Sequence, residues 1–272
     1  MLVYPNAKIN LGLYVTGKRP DGFHNLESVF YPVALADVLE VNQINKPKGI
    51  CVFQNTVVPV DCAAEKNLVV KAYKLLAAAY DLPAVEVKLH KLIPYGAGLG
   101  GGSSDAAFML KLLNTYFDLK ISERGLINYA SRLGSDCMFF IKNTPAFVGG
   151  RGEILEEIAL SLENYKIVIV KPDCEVSTAE AYRGIVPCEA PYNLHRLPGL
   201  AIEKWQMKIG NDFEKTILAE HPEIKRTKMA LYEAGALYAS MTGSGSGVYG
   251  IFRQDTKITA DLKGGFVWMD EK

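Results

Sequence analysis

The stretch from Leu92 to Ala107, LIPYGAGLGGGSSDAA, constrains this chain more than any other. Five glycines, Gly96, Gly98, Gly100, Gly101 and Gly102, run into Ser103, Ser104 and Asp105. Apolar residues then recur at Ala106, Met109, Leu110, Leu113 and Phe117, the spacing of one helix face. A glycine-rich loop that empties into a helix N-terminus offers unpaired backbone N–H groups and the positive end of the helix dipole, so it suits phosphate. The Ser103-Ser104 pair reads as the helix cap. No Lys-Ser/Thr follows the last glycine, so this is not a Walker A loop. The preceding segment, AVEVKLHKL over 84–92, alternates like a half-buried strand far into the chain. It does not open a βαβ series, so a dinucleotide fingerprint does not fit either.

With 272 residues, the chain is long enough for one large or two modest domains. Its hydrophobic content of 49% supports a proper core and argues against disorder. Lys plus Arg and Asp plus Glu balance at 30 each, so nothing electrostatic points to nucleic acid or to an anionic membrane. The same balance sets no oligomeric state. The five cysteines, Cys51, Cys62, Cys137, Cys174 and Cys188, are scattered and form no C-x-x-C pair. That argues against a zinc site and for reduced thiols in a cytoplasmic protein. The opening MLVYPNAKINLGLYV lacks a basic start followed by a long apolar run, and no signal peptide or membrane span is expected.

Val3 to Val15 reads as a strand pair or one long bent strand, and Lys18 to Asn25 as a turn around Pro20-Asp21-Gly22. Val29 to Val41 is strand-like, interrupted near Ala36-Asp37. Helices are expected over Asn67–Tyr80 and, capped by Ser122, as far as Leu133. Lys166–Val170 reads as a buried strand, and Ser177-Thr178-Ala179-Glu180 as a capping box. His221–Ala234 reads as a helix stopped by Gly235. Strands at Tyr238–Met241 and Val248–Phe252 flank Thr242–Gly247, and Gly265–Met269 closes the chain. Two α+β halves meet near residue 160, giving domains 1–160 and 161–272.

Several residues in this frame carry chemistry. Thr242–Gly247 is either a plain hairpin or a loop pressed against a phosphate or the N-terminal strand, and six small residues exceed what a tight hairpin needs. Lys8 either points to solvent or, with Asn10 two residues on, faces a negatively charged reacting centre. Asp136 is either a turn residue or a general base at an apolar boundary, held ionised by a nearby lysine. Phe23, His24 and Tyr182 are loop and core aromatics that also suit a flat nucleobase.

Three segments in order, Pro5–Leu11, Pro94–Ala107 and Met241–Gly247, make the chain resemble the GHMP small-molecule kinases. AKINLGLYVTGKRPDGFHNLESVF, GLGGGSSDAA, LGSDCMFF, VSTAEAYRGI and NDFE at 211–214 extend the resemblance over nearly the whole chain. It implies a two-domain α+β fold. The N-terminal domain is ribosomal-protein-like, the C-terminal domain ferredoxin-like, and the active site lies in the cleft between them. It implies ATP with Mg2+ as co-substrate, and phosphoryl transfer to the 2-hydroxyl of CDP-methylerythritol in non-mevalonate isoprenoid biosynthesis. A mevalonate- or homoserine-type kinase, or a non-catalytic nucleotide-binding protein on the same fold, are the alternatives.

On matching positions, the resemblance makes Asp136 the base and Lys8 its charged partner. The ATP triphosphate falls to Pro94, Tyr95, Gly96, Ala97, Gly98, Leu99, Gly100, Gly101, Gly102, Ser103 and Ser104. Asn67 and Lys91 lie near the adenosine. Phe23 and Tyr182 sandwich the cytosine, His24 bonds its edge, and Asn10 and Thr178 touch polar groups of the substrate. Gly243, Ser244 and Gly245 form the third-motif loop, and Ser103 or Ser104 is a candidate metal ligand. Residue 138 is Met where the family usually has Pro, Phe23 stands for a more usual Tyr, and Asp105 either caps its helix or helps place magnesium.

Overall fold

A computed structural model describes residues 1–56, 64–258, 262 and 264–270; Cys62 lies outside them. In chain order the elements are β1 (Leu2–Val3), β2 (Asn6–Lys18), β3 (His24–Ala36), β4 (Val38–Gln43), β5 (Cys51–Asn55), α1 (Leu68–Ala77), β6 (Val85–His90), α2 (Gly101–Tyr116), α3 (Glu123–Ser131), α4 (Phe139–Lys142), β7 (Ala146–Gly149) and β8 (Ile154–Glu157). There follow β9 (Tyr165–Lys171), α5 (Thr178–Arg183), α6 (Trp205–Lys208), α7 (Glu214–Glu220), α8 (Pro222–Glu233), β10 (Tyr238–Met241), β11 (Val248–Arg253) and β12 (Phe266–Met269). No helix among the described residues is long and apolar enough to cross a membrane.

The chain forms two compact units. The first gathers residues 1–7, 34–93 and 100–144. Its sheet runs β1-β4-β6-β5, with β4 antiparallel to β1 and β6, and β5 parallel to β6. Leu39 and Val41 on β4, and Val85, Val87 and Leu89 on β6, are buried at every second position. That is the period of a strand with one face in a core. Helix α1 buries Val69, Val70, Ala72, Tyr73 and Leu76, and its start is fixed by Asn67, whose Oδ1 accepts from the Val69 N–H at 2.9 Å. It packs against α2, which buries Ala106, Met109, Leu110 and Leu113 as their spacing predicts.

The second unit gathers residues 8–33, 94–99 and 145–272. It carries a sheet ordered β2-β3-β7-β8 and an antiparallel sheet ordered β10-β11-β9-β12. Val168 and Val170 of β9, Val248 and Phe252 of β11, Ile224 and Leu231 of α8, and Leu13, Val15 and Phe213 share one core. Each such side chain contributes roughly 1.5–3 kcal/mol by leaving water. The capping box at α5 is complete, since Ser177 Oγ accepts from the Glu180 N–H and Glu180 returns a bond to the Ser177 N–H.

The Ser103-Ser104 cap is a misreading. Helix α2 begins three residues earlier than a Ser103 cap would start it, with Gly100 as N-cap at φ +71° and no side-chain cap, so both serines lie inside the first turn. The apolar run after Asp136 forms the short α4, and the neighbouring strand is β7, at 146–149. Strands β5 and β8 and helix α7 were not foreseen, because their short polar or mixed stretches show no period of their own.

Candidate active site

The glycine-rich stretch divides between the units, with Pro94–Leu99 in the second and Gly100 onward in the first. In the second unit, the Lys8 N–H donates to the Leu99 carbonyl at 2.9 Å and the Ser246 N–H to the Gly96 carbonyl at 2.9 Å. A Cβ added to Gly98, at φ +69°, would stand 1.9 Å from the Thr242 carbonyl oxygen. One added to Gly247 would stand 2.4 Å from that of Ala97. The two glycine loops are therefore in backbone contact, and side chains are absent where contact demands it. Thr242–Gly247 is no plain hairpin. It presses on both the first loop and β2, where the Thr242 hydroxyl accepts from the Asn10 N–H at 3.2 Å and lies 3.1 Å from Asn10 Oδ1. Gly243 and Ser244 are half-buried and Gly245 is buried.

Lys8 does not point to solvent. It is 3% exposed, its Nζ donates to Asn10 Oδ1 at 2.6 Å, and it lies 4.5 Å from the centre of the Phe30 ring. Asn10 Nδ2 donates to Ser28 Oγ at 2.9 Å, and Ser28 Oγ to the Gly12 carbonyl at 2.6 Å. The Tyr249 hydroxyl donates to the Asn10 carbonyl at 2.7 Å. Asn10, which receives the lysine, is thus itself held, and this fixes the cationic head in a low-dielectric surrounding.

The aromatic residues each have a stacking partner. Tyr182, on α5, stacks on His24 with ring centres 4.9 Å apart and planes 25° apart. Phe213 also meets it, edge-on at 4.8 Å. Phe23 is 57% exposed and lies under the Arg151 guanidinium, 4.5 Å from its ring. Tyr182 is thus stacked on His24, and Phe23 on Arg151. Thr178 is the exposed first residue of α5.

NDFE at 211–214 binds these parts together. Asn211 Nδ2 donates to the Met241 and Gly243 carbonyls, both at 2.8 Å. Asp212 Oδ2 accepts from the Val15 N–H at 2.8 Å. Glu214 Oε1 accepts from the Met241 N–H at 2.8 Å, and its Oε2 pairs with Lys228 at 2.6 Å. In the sequence this segment carries only the family resemblance, with no role for its members. Arg151 was missed because it follows a glycine pair with no motif around it.

In the first unit, Lys91 is not an accessible contact for adenosine. Its ammonium is buried between Asp37 and Asp105, with Asp105 Oδ2 at 2.7 Å. Both carboxylates hold it protonated against the burial that opposes its charge, and its pKa is raised. Asp37 Oδ1 also accepts from the N–H groups of Leu92 and Ile93, at 2.6 and 2.8 Å, and so fixes the start of the glycine stretch. Asp105 does not cap α2, whose N-cap is Gly100; its Oδ2 accepts from Lys91, and its Oδ1 is buried with no hydrogen-bond partner among the described residues. Asp37 was overlooked, although the break it makes between β3 and β4 was legible.

Asp136 is half-buried in a 3-10 turn, Ser135–Cys137, whose Cys137 thiol is pushed up to about 11 by burial and hydrogen-bonds with Ser103 of α2. The first unit therefore joins the turn that carries Asp136 to the first turn of α2. Met138 has φ −63°, the value a proline ring would impose, so the departure at this position leaves the backbone in place. Ser104 is fully buried and its Oγ has no partner among the described residues, whereas Ser103 is half-buried.

The GHMP kinase N-terminal domain model matches residues 67–148 and the GHMP kinase C-terminal model residues 198–262. The fold and the paired glycine loops are those of a GHMP small-molecule kinase, with the mixed α+β architecture that the motifs implied. The chain is 48% identical over 272 residues to a 4-diphosphocytidyl-2-C-methyl-D-erythritol kinase of Bacteroides fragilis, covering 100% of this chain and 99% of that one. It is 50% identical over 255 residues to the kinase of the same name from Bacteroides thetaiotaomicron, covering 94% and 93%. A crystal structure of 4-(cytidine 5'-diphospho)-2C-methyl-D-erythritol kinase superposes with a TM-score of 0.79 at 32% identity, over 92% of this chain and 90% of that one. The chain belongs to the 4-diphosphocytidyl-2-C-methyl-D-erythritol kinase family.

Proposed function

We propose that this kinase transfers the γ-phosphoryl group of ATP to the 2-hydroxyl of 4-diphosphocytidyl-2-C-methyl-D-erythritol, in the non-mevalonate route to isoprenoid precursors. The observation that carries the substrate assignment, beside the names of its relatives, is the His24–Tyr182 stack backed by Phe213. A flat aromatic platform suits cytosine. A kinase for a small alcohol such as mevalonate or homoserine needs none. Phe23, Thr178 and Asn10 are assigned to the same substrate. The domain division near residue 160 falls between the stretches that the two family models match. We place the enzyme in the cytoplasm, where its water-soluble nucleotide substrates are.

Phosphoryl transfer of this kind needs positioning and charge neutralisation more than covalent help. In this reading the backbone N–H groups between Tyr95 and Ser103 and the dipole of the 16-residue helix α2 receive the triphosphate, with Pro94 and Ser104 at the borders of the loop. Lys8, held by Asn10, supplies fixed positive charge at the transferring group. Asp136 accepts the proton of the substrate hydroxyl late in the reaction. Asn67 stays assigned to the adenosine. Lys91 acts as a positioning residue under the loop. Magnesium, when bound, would supply positive charge against the phosphates, and Ser103 and Ser104 would hold it. The hydroxyls of Ser103 and Ser104 are hard oxygen donors of the kind it takes, and Ser104 Oγ is an orphaned buried donor.

The test is ADP release from ATP and magnesium, with the cytidyl substrate, CDP, mevalonate and homoserine offered separately. Turnover is expected with the cytidyl substrate alone. Asp136→Asn should lower kcat by about 10²–10⁴-fold with little change in KM. Turnover with a simple alcohol instead would sink the substrate assignment. ATP binding without any turnover would point to a non-catalytic nucleotide-binding protein.

A further inference from the structure

Away from the kinase residues, the second unit gathers three side chains of metal-binding type. Cys174 lies in the loop after β9, His221 just before α8, and Glu223 in the first turn of α8. One ligand atom from each lies within 4.8 Å of the others, and all three residues are half-buried. His221 Nδ1 is 3.7 Å from Glu223 Oε1, close to the edge of a tetrahedron around a metal with bonds of about 2.0–2.3 Å.

Two further observations point the same way. His221 Nε2 is engaged by Glu180 Oε1 at 2.7 Å. A carboxylate on one ring nitrogen holds its proton there and turns the lone pair of the other toward a metal, as second-shell carboxylates do for ligating histidines. Glu180 is itself held, because its other oxygen closes the capping box of α5. A cavity of about 480 Å3 opens at Glu223, lined also by Pro172, Asp173 and Arg226, so this one of the three ligands is reached from open space. The Cys174 carbonyl accepts from Ser246 Oγ at 2.7 Å and Lys171 Nζ at 3.1 Å, so the cysteine backbone is fixed.

We propose that Cys174, His221 and Glu223 form a zinc site, with Glu180 orienting His221 and a solvent-facing position left for water. Sulfur, imidazole and carboxylate together match zinc and not magnesium. On binding, the cysteine thiol gives its proton to solvent and the thiolate bonds the ion, so one proton leaves per ion taken up. The ligands come from two segments far apart in sequence, which explains why no C-x-x-C spacing announces them.

Titration of the full chain with Co2+ as spectroscopic probe, and with Zn2+ against a chromophoric chelator, tests this without ATP or substrate. The expected result is one ion per chain, with a sulfur-to-cobalt charge-transfer band in the near ultraviolet and visible bands of a four-coordinate ion. Cys174→Ser should abolish the charge-transfer band while far-ultraviolet circular dichroism and kinase turnover are retained. Glu180→Gln should keep the band and weaken affinity about 10–100-fold. Alkylation of Cys174 should slow on adding Zn2+ while that of the exposed Cys188 does not. Absence of stoichiometric uptake, or uptake unchanged in Cys174→Ser, overturns the proposal. So does a cobalt complex without the sulfur band that is lost in Glu220→Gln, which would put the ion on the Nε2 side of His221 with Glu180 and Glu220.

Discussion

Lys91 carries its charge to a place that water does not reach, and two carboxylates meet it there. Removing the ammonium strands both of them. Lys91→Met is therefore expected to destabilise the protein by about 3–5 kcal/mol, read as a fall in the urea midpoint; a loss well under 1 kcal/mol would show that the triad holds little. Asp105 behaves differently. Burial pushes its carboxyl above the ordinary value, and Asp37 adds to the rise, against the pull of Lys91. The folded state thus holds this proton more tightly than the unfolded chain does. The associated stability is full below the ordinary carboxylate pKa of about 3.9 and is lost as pH rises through the raised value. Asp105→Asn removes that titration, so its Tm should fall less than that of the parent between acid and neutral solution. Equal slopes would refute the assignment.

Two glycines at the element scale separate architecture from ligand binding. Gly98 lies against the backbone of the other loop, so Gly98→Ala must move Thr242 or the loop itself. A displacement of about 1 Å near a reacting group costs on the order of 10²-fold in rate, and kcat/KM for ATP should drop by about that much. Gly102 has nothing within 4 Å of an added Cβ and sits in the first turn of α2. Gly102→Ala should raise stability by about 0.5–1 kcal/mol and yet raise the KM for ATP, because the methyl group stands where the triphosphate is proposed to approach. An unchanged KM would move the triphosphate elsewhere. The loop and its helix were legible because glycine and a 3.6-residue period are local signals. The start of α2 was misread because serine caps are common and an uncapped glycine start leaves no side-chain mark. Asp37, Asn211 and Arg151 were illegible as site-builders, since each works on a partner between 30 and 128 residues away in sequence.

For the whole molecule, the thiols give a readout of order. Burial pushes Cys51 and Cys137 up to about 11, so almost no thiolate exists at neutral pH. Cys188 is exposed. In a Cys62→Ser background, a thiol-specific disulfide reagent should modify Cys188 at once and Cys137 only when the protein opens globally; early loss of Cys137 would show that the Asp136 turn opens on its own. The α+β class and the order of the motifs were readable from end to end, because strands and helices near both ends carry their own periods. The interleaving of the two units was not, because it depends on which segments meet, and no local pattern records that.

The contact between the glycine loops also bears on how the enzyme is born. Gly98 and Thr242 touch across 144 residues of chain. A ribosome adding about 5–20 residues each second needs roughly 7–29 s to travel between them. Until then the nascent loop has no floor to rest on. Competence to hold nucleotide in this kinase is therefore a property of the finished polypeptide, and a chain that stops short of Thr242 carries the loop's sequence without the surface that shapes it.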